Sequence, residues 1–276
     1  MDSDFELLFR RQGIVKFTYH PETLTDPQVL AQRWCHPPTG GEYLIDKFYR
    51  LFGKNDFRKV LRRIYTAESG VARDRLAENC GDVQLHEYLA FLSHQELAVE
   101  QDGLVYKHPR YRTVSGIGRT LEWYVARWFQ EFLQCPARYK IHIPDMGDSG
   151  DLDVVTFLEG MFIWAECKSG RHITDAQLQR FRERAQAYTP VMAILLIDTD
   201  DKKAIQRYVE RLNNLDDLVN TLGEPLYPLE VKNQREWLYW RGRAMYVVGA
   251  PNSIEESLVA ALRLYQGYVK FVPFVG

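Results

Sequence analysis

Four aspartates (Asp145, Asp148, Asp151 and Asp153) precede two apolar runs, and the second run ends in Glu166-Cys167-Lys168. Carboxylates held close together can share a hard divalent cation, which takes one or two of them and fills its shell with substrate and water oxygens. A lysine beside such a pair could hold a water or stabilise a developing oxyanion. The chemistry depends on whether these side chains meet. Leu152–Leu158 and Met161–Lys168 are rich in Val, Ile, Phe and Trp, and Glu159-Gly160 lies between them, which predicts a β-hairpin. With the turn centred on Glu159-Gly160, the numbers of cross-strand partners total 319. Asp153 then lies opposite Glu166, and Asp151 opposite Lys168. Residues two apart share a face of a strand, so all four are expected on one face. Two like charges directly opposed are destabilising, and a cation between them would relieve the repulsion. The plainer alternative is a solvated polar face with a salt-bridged lysine.

The rest of the chain must position that hairpin. At 276 residues, with 46% hydrophobic and 26% charged residues, it has the make-up of a soluble globular protein of about two domains. A net charge of −2 argues against affinity from broad phosphate neutralisation, so any nucleic-acid contact needs a local basic patch or a metal. Cys35, Cys80, Cys135 and Cys167 are scattered without CxxC spacing, which speaks against zinc and against a disulfide framework. The start, MDSDFELLFRR, has no apolar leader core, and no apolar run approaches membrane-spanning length. A cytoplasmic protein without membrane contact is expected.

Residues 1–54 form an extension of unclear role, with a helix at Asp4–Arg11, a strand at Ile14–His20 and helices at Asp26–Cys35 and Glu42–Phe52. In residues 55–112, apolar spacing predicts a helix over Asp56–Thr66, a second over Val71–Cys80 and a third capped by Asp82. A hairpin follows around Asp102-Gly103. Three helices and a two-stranded wing resemble a winged helix-turn-helix domain, whose third helix would read duplex DNA. That helix carries Asp82, Gln84, His86, Glu87 and Gln95 but no arginine or lysine, so packing, dimerisation or partner contact stands level with sequence reading. Arg58, Lys59, Arg62 and Arg63, on the first helix, are the dense basic cluster of this segment, read as a solvated face. From 113 to 276 the order begins with a helix at Ser115–Leu133, striped by Leu121, Val125, Trp128 and Phe132, with Glu122 at the stripe's edge. A strand at Ala137–Ile143, the hairpin, a helix from Thr174 to Tyr188 and a buried strand at Val191–Ile197 come next. A helix at Lys202–Asn213, strands at Trp237–Trp240 and Met245–Gly249, a helix from Ser253 and a last strand at Tyr268–Val275 complete the expectation.

Helix, three strands, helix, strand, with Gly150-Asp151-Leu152-Asp153 and Glu166-Cys167-Lys168 on consecutive strands, resembles the PD-(D/E)XK nuclease superfamily over Ser115 to about Ile197. The resemblance implies an α/β restriction-endonuclease-like mixed sheet flanked by helices. It implies Asp153, Glu166 and the Cys167 carbonyl as ligands of Mg2+ or Mn2+, and Lys168 as the group that orients the attacking water or stabilises the transition state. Glu122 matches the accessory acid on the preceding helix. Gln177 or Gln179 matches a glutamine that some branches use. Asp151 is auxiliary, and Arg171 could hold a flanking phosphate. The literal Pro-Asp dipeptide is Pro144-Asp145, but the hairpin pairing favours Asp153. One branch with a similar helix includes CRISPR-ancillary nucleases with a nucleotide-sensing domain, which residues 1–112 do not resemble, so that activator is not carried over.

The implied activity is metal-dependent hydrolysis of phosphodiesters, in DNA ahead of RNA, with a homodimer left open. The alternative is a non-catalytic winged-helix regulator that uses the nuclease-like domain for binding or dimerisation.

Overall fold

The computed structural model describes residues 2–19, 29–30, 44–144, 151–170, 172–215, 227–228, 238–241, 245–251 and 253–270. The helix expected over 26–35 (apart from Val29 and Leu30), Asp145, Gly150, Arg171 and residues 271–275 lie outside them. By contacts the chain divides into Pro21–Tyr124 and a second unit made of Met1–His20 with Val125–Gly276. The first twenty residues therefore join the C-terminal unit rather than a separate extension. The later boundary falls at 124/125, inside a helix, rather than at 112/113.

The unit Pro21–Tyr124 contains helices α2 (Leu44–Gly53), α3 (Asn55–Thr66), α4 (Arg73–Ala77) and α5 (Asp82–His94), with strands β1 (Val71–Ala72), β2 (Ala98–Gln101) and β3 (Leu104–Lys107). The strands form an antiparallel sheet in the order β1-β3-β2. Phe57, Val60, Leu61 and Ile64 of α3, and Leu85, Tyr88, Leu89 and Leu92 of α5, are buried as their helical spacing requires. Two expectations need correction. The helix read over Val71–Cys80 begins only at Arg73, because Val71 and Ala72 pair with Val105 and Leu104 of β3. Asp82 does not cap α5. Gly81, at φ +78°, precedes the helix, and Asp82 sits in its first turn, where its charge suits the helix dipole. Nor is the basic cluster of α3 a uniformly solvated face. Arg58 is fully buried, and its Nη1 donates to the carbonyls of Phe52 and Gly53 at 2.8 and 2.6 Å, closing the end of α2.

The other unit holds α1 (Asp2–Arg11), the later turns of α6 (Gly118–Phe132), α7 (Asp175–Tyr188), α8 (Lys202–Asn214), α9 (Ile254–Lys270) and strands β4 (Ala137–His142), β5 (Asp151–Leu158), β6 (Met161–Lys168), β7 (Met192–Ile197), β8 (Tyr227–Pro228), β9 (Leu238–Arg241) and β10 (Met245–Gly249). These strands make one mixed sheet in the order β4-β5-β6-β7-β10-β9-β8. β4, β5 and β6 are antiparallel; β7 runs parallel to both β6 and β10. A parallel neighbour needs a crossover, and α7 supplies it between β6 and β7. The strand expected at Ile14–His20 reduces to a single bridge between Thr18 and His142, with His20 itself undescribed. Tyr268–Lys270, expected to open a last strand, continue α9. Phe132, placed on the buried stripe of α6, is exposed.

Phe5 and Phe9 of α1, Leu178 and Phe181 of α7 and Ile205 and Val209 of α8 share a core with Val155, Phe157, Phe162, Trp164, Ala193 and Leu195 of the sheet. Leu152 belongs to that same core. Strict alternation would put Leu152 and Val155 on opposite faces. The alternation breaks at Asp153, and the β4–β5 ladder omits the pair Lys140–Asp153 between Tyr139↔Val154 and Ile141↔Leu152. Lys140 there has a left-handed backbone, φ +51°.

Candidate active site

The hairpin closes as its turn residues require. Glu159 and Gly160 both have positive φ, +53° and +80°, the twist that joins antiparallel strands through two residues. The pairs run from Leu158↔Met161 to Val154↔Ala165, in the register read from the sequence. There the β5–β6 ladder ends, although each strand continues for three residues. β5 goes on against β4 through Leu152 and Asp151, while β6 goes on against β7 as far as Lys168↔Ile197. The two strands thus part at Asp153 and Glu166.

Four groups meet at this fork. The Cys167 N–H donates to Asp153 Oδ2 at 2.8 Å. Lys168 Nζ donates to Glu166 Oε1 at 2.6 Å and lies 3.7 Å from Asp153 Oδ2. From α7, Arg184 Nη1 donates to Glu166 Oε2 at 3.4 Å. Glu166 is buried, 6% exposed. Burial above all, and then the Asp153 charge, push its carboxyl up to about 7, against the downward pull of Lys168 and Arg184. Burial pulls the Lys168 ammonium down, but Asp153 and Glu166 outweigh it and hold the proton on more tightly than usual. The lysine holds its charge, and burial works against the charged form of Glu166.

The structure brings together Asp153, Glu166 and Lys168, as expected. Cys167 is buried with its N–H committed to Asp153. Asp151 does not meet Lys168. Because β5 leaves β6 after Val154, its carboxylate pairs with His142 Nδ1 on β4 at 2.8 Å. Glu122 is buried on the part of α6 that belongs to the other unit, where Arg119 Nη1 donates to it at 2.5 Å. Gln177 accepts from the Thr174 N–H at 2.9 Å and closes the capping box of α7. Gln179 Nε2 donates to Glu183 at 2.7 Å. Arg171 is outside the described residues.

Sequence reasoning missed Arg184. It follows Leu178 and Phe181 at spacings of three, so it continues the stripe that α7 turns to the sheet. A charge on an apolar stripe was the available signal.

Two carboxylates suit a hard cation that fills its shell with substrate and water oxygens. Among the described residues, no group of three or more His, Cys, Asp or Glu side chains converges. The donor set fits magnesium or manganese held by two side chains and does not fit an all-protein cage.

No family model matches the chain, and no curated protein matches it. Among solved structures, the crystal structure of protein VC1899 from Vibrio cholerae aligns with a TM-score of 0.40 and 14% identity over 91% of this chain. The chain spans 58% of the length of that structure.

Proposed function

We propose that the chain is a metal-dependent nuclease of the PD-(D/E)XK type that hydrolyses phosphodiester bonds, in DNA ahead of RNA. In this reading the unit with the mixed sheet is restriction-endonuclease-like, and α3 to β3 form a winged helix. The observation that carries the proposal is the meeting of Asp153, Glu166 and Lys168 where two central strands part. Asp153 and Glu166 would hold Mg2+ or Mn2+, with the Cys167 carbonyl beside them. When bound, such an ion withdraws charge from the scissile phosphate and makes water a better nucleophile at neutral pH. Lys168 supplies a donor that is always charged, able to hold the attacking water or to meet charge developing on a phosphate oxygen. The Cys167 N–H fixes Asp153, so that carboxylate needs no reorganisation when substrate arrives.

The test is cleavage of single- and double-stranded DNA and RNA with Mg2+ or Mn2+, comparing the wild type with Asp153→Asn and Lys168→Met, and with chelator added. Cleavage that survives both substitutions would remove this site assignment.

A second reading has its own support. Both Glu166 oxygens and one Asp153 oxygen already have partners within the protein. A platform that binds a partner or a second copy through this unit, with no chemistry, would leave the cluster in that state. Mn2+ titration separates the two readings, since the platform has no need of the ion.

A further inference from the structure

Arg184 stands on the far side of Glu166 from Lys168, and each cation takes a different oxygen of the carboxylate. We propose that Arg184 is a positioning residue for Glu166, holding Oε2 so that Lys168 can leave Oε1 for a phosphate oxygen without loosening the carboxylate. The inference rests on the nuclease reading of the site.

The two cations differ in the ways this division of labour needs. Lys168 is a point charge on a flexible stem, within reach of both Glu166 and Asp153. Arg184 is a planar guanidinium on a helix, and packing fixes its place. Phe181, three residues earlier on α7, packs against Trp164 with ring centroids 5.0 Å apart and the rings tilted by 41°. Trp164 lies two residues before Glu166 on the same face of β6. The α7–β6 contact therefore has two successive rungs, Phe181 on Trp164 and Arg184 on Glu166.

The cost of placing Arg184 there points the same way. It is buried, and its Nε has no hydrogen-bond partner among the described residues. A buried ion pair is a poor source of stability, and a well-packed apolar pair often does as well or better. An otherwise apolar helix–strand contact that withdraws a guanidinium from water gains little from it as packing. It gains a fixed donor on the one carboxylate that Lys168 must release.

A ligating carboxylate depends on the group that hydrogen-bonds it from behind, and removing such a group typically weakens metal binding about 10–100-fold. The experiment is calorimetric titration of Mn2+ into the metal-free full chain as wild type, Glu166→Gln, Arg184→Met, Arg184→Lys and Phe181→Leu, each at a temperature where it is folded. Arg184→Met is expected to weaken Mn2+ by about 10–100-fold, and Arg184→Lys to recover most of that loss. Phe181→Leu, which loosens the same helix contact without touching a charge, is expected to bind Mn2+ as the wild type does. If Arg184→Met does not fold, Arg184→Gln takes its place with the same expectation. Wild-type affinity in the arginine variant, or an equal loss in Phe181→Leu, overturns the inference while Glu166-dependent Mn2+ binding leaves the nuclease reading standing. Absence of Mn2+ binding by the wild type overturns both.

Discussion

The Cys167 N–H donates to Asp153 Oδ2 at 2.8 Å, at the point where the β5–β6 pairs end. A side chain of one strand thus takes over the acceptor role that a backbone carbonyl has elsewhere in the ladder. Asp153 has two duties, and substitution should separate them. Asp153→Asn keeps an acceptor for Cys167, whereas Asp153→Ala leaves a buried N–H without one, at a cost of about 1–3 kcal/mol. Urea unfolding is expected to show Asn near the wild type and Ala below it, with Mn2+ binding lost in both. Equal stability for Asn and Ala would show that the hydrogen bond carries no weight.

Lys168 sits 2.6 Å from Glu166 Oε1 and 3.7 Å from Asp153 Oδ2, where it competes with any cation the two acids could hold. Lys168→Met is therefore expected to bind Mn2+ at least as tightly as the wild type. Its cleavage rate should fall by about 10²–10³, the usual loss when a donor to developing charge is removed. A parallel loss of metal affinity would mean that the lysine organises the acids and does not act on the substrate.

The raised carboxyl of Glu166 gives a pH signature that needs no substrate. Its folded value, about 7, lies above the ordinary carboxylate range, so between those limits the folded state binds more protons than the unfolded one. Stability from this group is complete at low pH and falls as pH rises to about 7, by up to about 3 kcal/mol. Lys168 does not oppose this, because its raised value changes stability only at alkaline pH. Urea midpoints of the metal-free protein across this range should fall more steeply for the wild type than for Glu166→Gln. Identical slopes would contradict the burial cost assigned to Glu166.

In the other unit Gly70, Gly81 and Gly103 all have positive φ, and Gly70 and Gly103 differ in their surroundings. Gly103, φ +74°, has open space around a would-be Cβ. Gly70, φ +81°, would place one 2.6 Å from Cε1 of the Tyr106 ring. Gly103→Ala is expected to cost about 1–2 kcal/mol through the backbone alone. Gly70→Ala should cost about 1–3 kcal/mol more, because the ring must move. Chemical denaturation of the two variants tests the order, and equal losses would show that Tyr106 gives way freely.

What the sequence disclosed follows from how local each determinant is. Glu159-Gly160 sets a two-residue turn, and the register of Asp153 and Glu166 follows from counting along the chain. The run at Met192–Ile197 is legible because a strand covered on both faces has no polar alternation. Asp151 was misplaced because its partner depends on β4, and no turn or spacing announces that β5 leaves one neighbour for the other. Val71–Ala72 read as helix by spacing because their partners, Val105 and Leu104, come only after two further helices and a strand. Arg184 was hidden by its company. Arg180, Arg182 and Glu183 surround it in the chain, and only the position of α7 against β6 separates the buried Arg184 from the exposed Arg180 and Glu183 and the half-buried Arg182.

β6 lies where the sheet changes from antiparallel to parallel pairing, and this bears on the order in which the site assembles during folding. Its antiparallel neighbour is reached through two residues, its parallel neighbour only after the whole of α7. Hairpins close on the order of microseconds, whereas pairings that need a crossover are slower. Asp153 and Glu166 are thus expected to meet early, with Lys168 from their own hairpin beside them. Arg184 arrives with the later, non-local step. Amide exchange during refolding should protect Val154 and Ala165 before Ile194 and Leu195, so that the acids are gathered first and the arginine that holds one of them is the last part to arrive.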